Sequence, residues 1–320
     1  MMRRAWPEGA AAIDQLPVPP LPPEALHLPF EAGPFRMAMA LTACPPGEMV
    51  EIDDRYPAEM AERRALLASR HGEVFAACAG SEAARAETLR HVAELLPRRH
   101  PGWFSQDGRW LRNHLAGERW DLAAPAHDPL EVAGRLVQED LCLIEATAGG
   151  PVLQAALLCA PSRWLLADKI GRPLAAVHAN VPLYGERLSA PVDRFMAHLK
   201  AGKLAQRLNW SVVDDPALFQ PTRKRQAEAN PAVTAANAGE RLFLRVERQT
   251  LARLPASGFV LFAIRVHSYA LSRAVADPAV AARLAGAVAA MPGALAAYKN
   301  LPSIRAALLG HLQAAAGGRQ

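Results

Sequence analysis

The chain of 320 residues lacks most of the short signatures that announce a cofactor or a membrane. Its four cysteines, Cys44, Cys78, Cys142 and Cys159, form no CxxC pair, which argues against an iron–sulfur cluster or zinc ribbon in this chain. Scattered thiols suit a reducing compartment better than a disulfide framework, so a cytoplasmic protein is expected. No run of 18 apolar residues occurs, so no membrane span is expected. Met1 to Ile13 lacks the apolar core of a signal peptide. HExxH, GxSxG, a Walker loop and a dinucleotide GxGxxG are all missing, so zinc hydrolysis and flavin, nicotinamide or nucleotide binding have no local support. The 36 Lys+Arg against 31 Asp+Glu leave a charge of +5 with no block of like charge, and nucleic acid is not expected as a partner.

What remains is an ordinary globular composition, with about half the residues hydrophobic and a fifth charged. The length suffices for one large domain or two modest ones. Residues 1–50 are proline-rich: "LPVPPLPPEALHLPFEAGP" holds seven prolines and forms little regular structure. Residues 51–135 read as a helical region. "AEMAERRALLASRHGEVFAAC" and "SEAARAETLRHVAELL" place apolar residues at helical spacing, with Ser81 as a cap and Pro97 as a stop. "HPGWF" and "QDGRW" read as loops. After Tyr269, residues 271–320 are Ala-rich and helical, interrupted near Met291-Pro292-Gly293.

The centre, residues 136–270, changes period. Five strands are expected: Leu141–Thr147, Val152–Ala160, Arg207–Val213, Arg241–Leu251 and Gly258–Tyr269. A helical or irregular insertion, Ser162 to Lys203, separates the second from the third. Two strands, an inserted segment and three more strands is the order of a PAS domain. The predicted fold is therefore α+β: a PAS-like five-stranded antiparallel sheet with a helical insertion, flanked by N-terminal and C-terminal helices. If the last hairpin turns at Ala256, Glu247 lies opposite Arg265 and Arg245 opposite His267. A slip of one residue changes every such pairing.

Several residues in this centre carry possible chemistry. His178 stands between an apolar stretch and a Pro-containing loop, where a neutral imidazole can bind haem iron or bond the backbone as a buried histidine. Arg163, Lys169, Arg248 and Arg265 lie in or beside apolar segments and need anionic partners. Haem propionates are one kind of partner; a Glu247–Arg265 pair is the other reading. Trp164 and Trp210 can flank a flat cofactor or fill a core. Asp214 and Asp215 can act on an amine or as acid and base, or simply form a turn.

Three stretches together resemble one family: "PSRWLLADKIGRPLAAVHANVPLYGERLSAPVDRFMAHL", "RLNWSVVDDPALFQP" and "LFLRVERQTLARLPASGFVLFAIRVHSYALS". They are similar to the haem-dependent oxidative N-demethylase alpha-subunit family, over roughly Ile52 to Ala270, and the hairpin "ERQTL-RLP-SG" is the most specific piece. The resemblance implies a PAS-like fold holding haem b with a histidine ligand to iron, which by motif position is His178. It implies O2-dependent removal of a methyl group from a small secondary amine, dimethylamine-like, with release of formaldehyde. Pocket roles are carried over to Arg248, Glu247 and Arg265. From their own sequence context Trp164, Lys169 and Trp210 are further cofactor-binding candidates beside Arg265, and Asp215 is a catalytic candidate beside Glu247 and Arg248. Flavin, iron–sulfur and folate chemistry, with the reductase, would sit on partner subunits, in keeping with the missing motifs. The competing readings are a haem-based PAS sensor of gas or redox state, and a PAS-like domain for another small ligand.

Overall fold

The computed structural model describes residues 10–13, 17–31, 33–222 and 230–317. Its strands, in chain order, are β1 (Ala10–Ala12), β2 (Thr42–Cys44), β3 (Phe75–Ala77), β4 (Phe104–Asp107), β5 (Trp110–Asn113), β6 (Glu118–Asp121), β7 (Asp140–Thr147), β8 (Gly150–Leu157), β9 (Leu204–Val213), β10 (Phe243–Arg253) and β11 (Val260–Ala270). The larger sheet has seven antiparallel strands in the order β2-β9-β10-β11-β7-β8-β3, and the smaller runs β1-β6-β5-β4. The five strands expected from sequence are β7 to β11, and they are contiguous. Two three-residue strands extend the edges, so a five-stranded sheet was too small an expectation. The fold is mixed α+β.

Residues 51–135 are not purely helical. The stretches read as loops supply β4 and β5, joined at Gly108, whose positive φ of 57° suits glycine. Phe75–Ala77, inside a helical pattern, pairs with β8 as β3. The helix Glu82–Arg99 begins after Ser81, but the serine hydroxyl donates to the Cys78 carbonyl at 2.6 Å instead of capping it. Pro97 lies within its last turn rather than ending it.

The long hairpin corrects the register. Arg248 lies opposite Arg265 and Glu247 opposite Val266, one step from the expected pairing. The turn holds 254–259, closed by the Leu254 amide donating to the Phe259 carbonyl at 2.8 Å. Its centre therefore falls between Ala256 and Ser257. With a side-chain period of two, the step sends Glu247 and Arg265 to opposite faces of the sheet.

Each face is covered differently. The insertion packs Leu166, Leu174, Met196 and Leu199 onto Cys142, Ile144, Leu251, Ile264 and Val266. The other face is shared. N-terminal helices cover Leu141, Leu143, Leu261 and Ala263. The C-terminal helices Pro278–Ala289 and Arg305–Ala316 cover Val212, Leu244, Val246 and Tyr269. All four cysteines are unpaired. Among the described residues no helix is long and apolar enough to cross a membrane.

Glu87, on the helix Glu82–Arg99, holds the hairpin tip. Its carboxylate accepts the backbone N–H groups of Ala256 and Ser257, each at 2.7 Å. Burial pushes this carboxyl up, but the donors on Ser257 and Ala256 outweigh it and hold the group below its ordinary value. That stabilisation is present above the unfolded carboxylate range and is lost as pH falls through the depressed folded value. Glu87→Ala is expected to cost about 2–3 kcal/mol in urea unfolding at neutral pH. Glu87→Gln should cost less, and the gap between mutants and wild type should narrow in acid.

Candidate functional site

A carboxylate on the middle of β10 organises the insertion-covered face. Glu247 accepts hydrogen bonds from the Ser162 hydroxyl at 2.7 Å, the Gln249 amide at 2.9 Å and the Asn209 amide at 3.2 Å. Asn209 lies opposite it on β9, and Ser162 opens the insertion. Burial raises the Glu247 carboxyl, but Ser162, the Arg245 charge, Asn209 and Lys299 outweigh it and keep it ionised. Arg245, two residues away on the same face and 1% exposed, donates to Ser162 Oγ at 2.9 Å and to the carbonyls of Ala160, Ala217 and Leu218 at 3.0 Å.

Three more cations surround this anion. Lys169 comes from the insertion, with its Nζ 4.0 Å from the Trp164 ring centroid. Arg207 comes from β9, in register with Gln249. Lys299, from the C-terminal region, donates to Asn209 Oδ1 at 3.3 Å and to the Trp210 carbonyl at the edge of β9. Burial lowers both lysines to about 8, against the opposing pull of Glu247. Arg207 is lowered for the same reason, and its Nε is buried with no hydrogen-bond partner. None of the three has a carboxylate within salt-bridge distance among the described residues.

His178 ends the short helix Leu174–Val177. Its Nδ1 lies 2.8 Å from the Leu174 carbonyl, so Nδ1 carries the proton and Nε2 keeps its lone pair. Burial pushes the imidazole down to about 4, and Lys169 and Arg207 add to this. The ring is neutral at physiological pH. It stacks on Tyr184 at 4.5 Å and 13°. Tyr184 opens a π-helical turn, Tyr184–Leu188, behind Leu183, which has a positive φ of 63° and an exposed side chain. Such turns and such left-handed residues are costly and cluster at functional sites. The Tyr184 hydroxyl is buried without a hydrogen-bond partner among the described residues.

The residues expected from sequence thus divide. His178, Lys169, Trp164 and Glu247 are gathered where the insertion meets one face of the sheet. Trp210, Arg248 and Arg265 belong to the other face. Trp210 pairs with Val246 and meets Phe30 edge-on at 5.7 Å. Arg248 bonds the Glu48 carbonyl at 2.6 Å and Glu51 at 3.2 Å. Arg265 is ion-paired with Asp53 at 2.8 Å and Glu59 at 2.7 Å. These two arginines were expected to seek carboxylates, and the protein supplies them. Asp215 is exposed and accepts from the Ala217 amide at 2.9 Å, while Asp214 pairs with Arg163 at 3.1 Å; they form the turn. Sequence reasoning missed Ser162, Arg207, Asn209, Arg245, Tyr184 and Lys299. Only the odd-numbered alternation on β9 and β10 pointed to three of them.

The donor set fits a haem. One neutral imidazole presents a free Nε2, three cations lack carboxylates, and two buried polar atoms lack partners. The insertion lies directly on the sheet through its leucines and Met196. Arg245→Leu is expected to cost about 3–5 kcal/mol of stability, because three carbonyls and the Ser162 hydroxyl lose their buried donor and Glu247 loses a counter-charge. Thermal or urea unfolding of the variant measures it.

Residues 40–309 match the family described as haem-dependent oxidative N-demethylase, alpha subunit-like. The match extends past the strands into the Ala-rich helices, further than the resemblance read from sequence. With most of its length matched, the chain belongs to this haem-dependent oxidative N-demethylase alpha subunit-like family.

Proposed function

We propose that this chain is the haem-carrying subunit of a multi-subunit oxidative N-demethylase, with His178 Nε2 as the protein ligand to the iron of haem b. The observation that carries the reading is the pinned imidazole. Its proton is held by the Leu174 carbonyl at 2.8 Å, and its other nitrogen has no hydrogen-bond partner among the described residues. Lys169 and Arg207 are the cations for the propionates, and Trp164, under the Lys169 ammonium, is a wall for the ring. Bound haem would supply the activation of dioxygen, with two electrons from a reductase partner that carries the flavin, iron–sulfur and folate chemistry.

The substrate is a small secondary amine of the dimethylamine type. One oxygen atom of O2 enters an N-methyl C–H bond, and the other leaves as water with two electrons and two protons. The resulting carbinolamine breaks its C–N bond to give the shorter amine and formaldehyde. Glu247 is the carboxylate on this face suited to hold the ammonium form of the substrate by a charge-assisted bond. Ser162, Asn209 and Gln249 fix its orientation. Unpaired thiols fit work in the reducing cytoplasm.

Protein expressed with haem supply is expected to show a Soret band that His178→Ala abolishes. With a competent electron donor, it is expected to release formaldehyde from dimethylamine. Glu247→Gln should keep the Soret band and lose most of the turnover. A wild-type protein that takes up no haem, or an unchanged spectrum in the His178 variant, would overturn the assignment. Haem binding is also expected to slow amide exchange across Leu174–Leu188, since a ligand to His178 orders that segment.

A further inference from the structure

The opposite face of the sheet holds a second set of metal-ligating groups. His267 lies on β11 with a fully buried side chain; His27 and Glu51 are about one-fifth to one-quarter exposed. His267 Nε2 is 3.1 Å and His27 Nε2 3.3 Å from the same Glu51 carboxylate oxygen. One donor atom from each of the three residues lies within 4.8 Å of the others. The rings come together at 4.9 Å and 54°, so both imidazoles converge on the carboxylate rather than stack. Zinc bound tetrahedrally at about 2.0–2.1 Å places neighbouring ligand atoms about 3.3 Å apart. The observed separations are close to that edge.

The groups behind the ligands match as well. His267 Nδ1 is 3.1 Å from Glu24 Oε1, the carboxylate–histidine arrangement that fixes the tautomer and ring angle of a metal ligand. Glu51 is held from its other side by Arg248 Nε at 3.2 Å, and its backbone amide donates to Glu139 at 2.8 Å. Glu24 is itself held by Arg273 at 2.9 Å. Without a metal, both Nε2 atoms need protons to face Glu51. Nδ1 of His267 needs another to face Glu24. A cation at the meeting point of the two Nε2 atoms and Glu51 replaces the first two protons and leaves the Nδ1 proton where Glu24 accepts it.

We propose that His27, Glu51 and His267 bind a divalent transition-metal ion of the zinc type, with Glu24 as the positioning residue of His267. Two imidazoles and one carboxylate suit zinc, and three protein ligands leave a fourth position for water. The ion joins three separate parts of the chain: the proline-rich segment through His27, the stretch before the helix Tyr56–Ser69 through Glu51, and the sheet through β11. The His27 amide donates to the Tyr269 hydroxyl at 3.2 Å, and that hydroxyl donates to the Ala25 carbonyl at 2.6 Å, so the segment already lies against the sheet. The site is independent of haem binding, on the far face from His178.

Full-length protein, stripped with chelator and then dialysed against micromolar zinc chloride, is expected to retain one zinc per chain by elemental analysis. X-ray absorption at the zinc edge is expected to show two imidazole ligands with oxygen completing the shell. His27→Gln, on the proline-rich segment and so the variant safest for folding, should weaken binding at least about tenfold, and Glu24→Gln about 10–100-fold. Zinc should raise the melting temperature of the wild type but not of His27→Gln. No zinc retained by folded wild type, or zinc retained equally by His27→Gln as an adventitious ion, would overturn the site. A shell without imidazole nitrogen would do the same.

Discussion

A buried carboxylate on a central strand must be compensated, and much of the fold on one side of the sheet is arranged around doing so. Glu247 cannot be left ionised among apolar neighbours without donors and counter-charges. Ser162 donates to it directly and Arg245 reaches it through the same hydroxyl. Arg245 also gathers the carbonyls at 160, 217 and 218. The start of the insertion and the exit from β9 are thereby tied to one point on β10. That tie positions the segment bearing Lys169, His178 and Tyr184 over the sheet.

The two faces answer the same problem in different ways. On the far face the two buried arginines of the hairpin find carboxylates: Arg265 with Asp53 and Glu59, Arg248 with Glu51. These pairs dock the helix Tyr56–Ser69 and the stretch before it onto the sheet. On the insertion face Lys169, Arg207 and Lys299 share Glu247 only through the field. This contrast in carboxylate partners within one sheet is what directs the proposed haem site to the His178 side.

Much of the scaffold was legible because strands and helices impress their period on the sequence. The alternation in "RLFLRVERQTL" and "GFVLFAIRVHSY" gave the long hairpin, and the apolar runs before and after Gly149-Gly150 gave β7 and β8. Three-residue strands such as β2 and β3 carry no period to read, and β4 and β5 were hidden by Trp, Gly and charged residues that read as loop. Of the residues gathered on the insertion face, His178 and Glu247 were singled out by context and resemblance. Ser162 and Lys299 were not, since each acts through a partner far away in the chain, and Tyr184 was not, since its stacking on His178 depends on an irregular turn that carries no period.

By itself the sequence determined which residues share a side within each strand, because neighbouring side chains must alternate whatever the strand pairs with. It therefore already separated Glu247 from Arg248. It also determined family membership, through stretches long enough to be specific. Only the tertiary structure decided the register of β10 against β11, because a turn one half-step longer than assumed moves every partner. Only it decided which layer covers which face, and so which histidines and carboxylates meet. His27 and His267 lie 240 residues apart, and no local pattern links them; the packing of the proline-rich segment on β11 does.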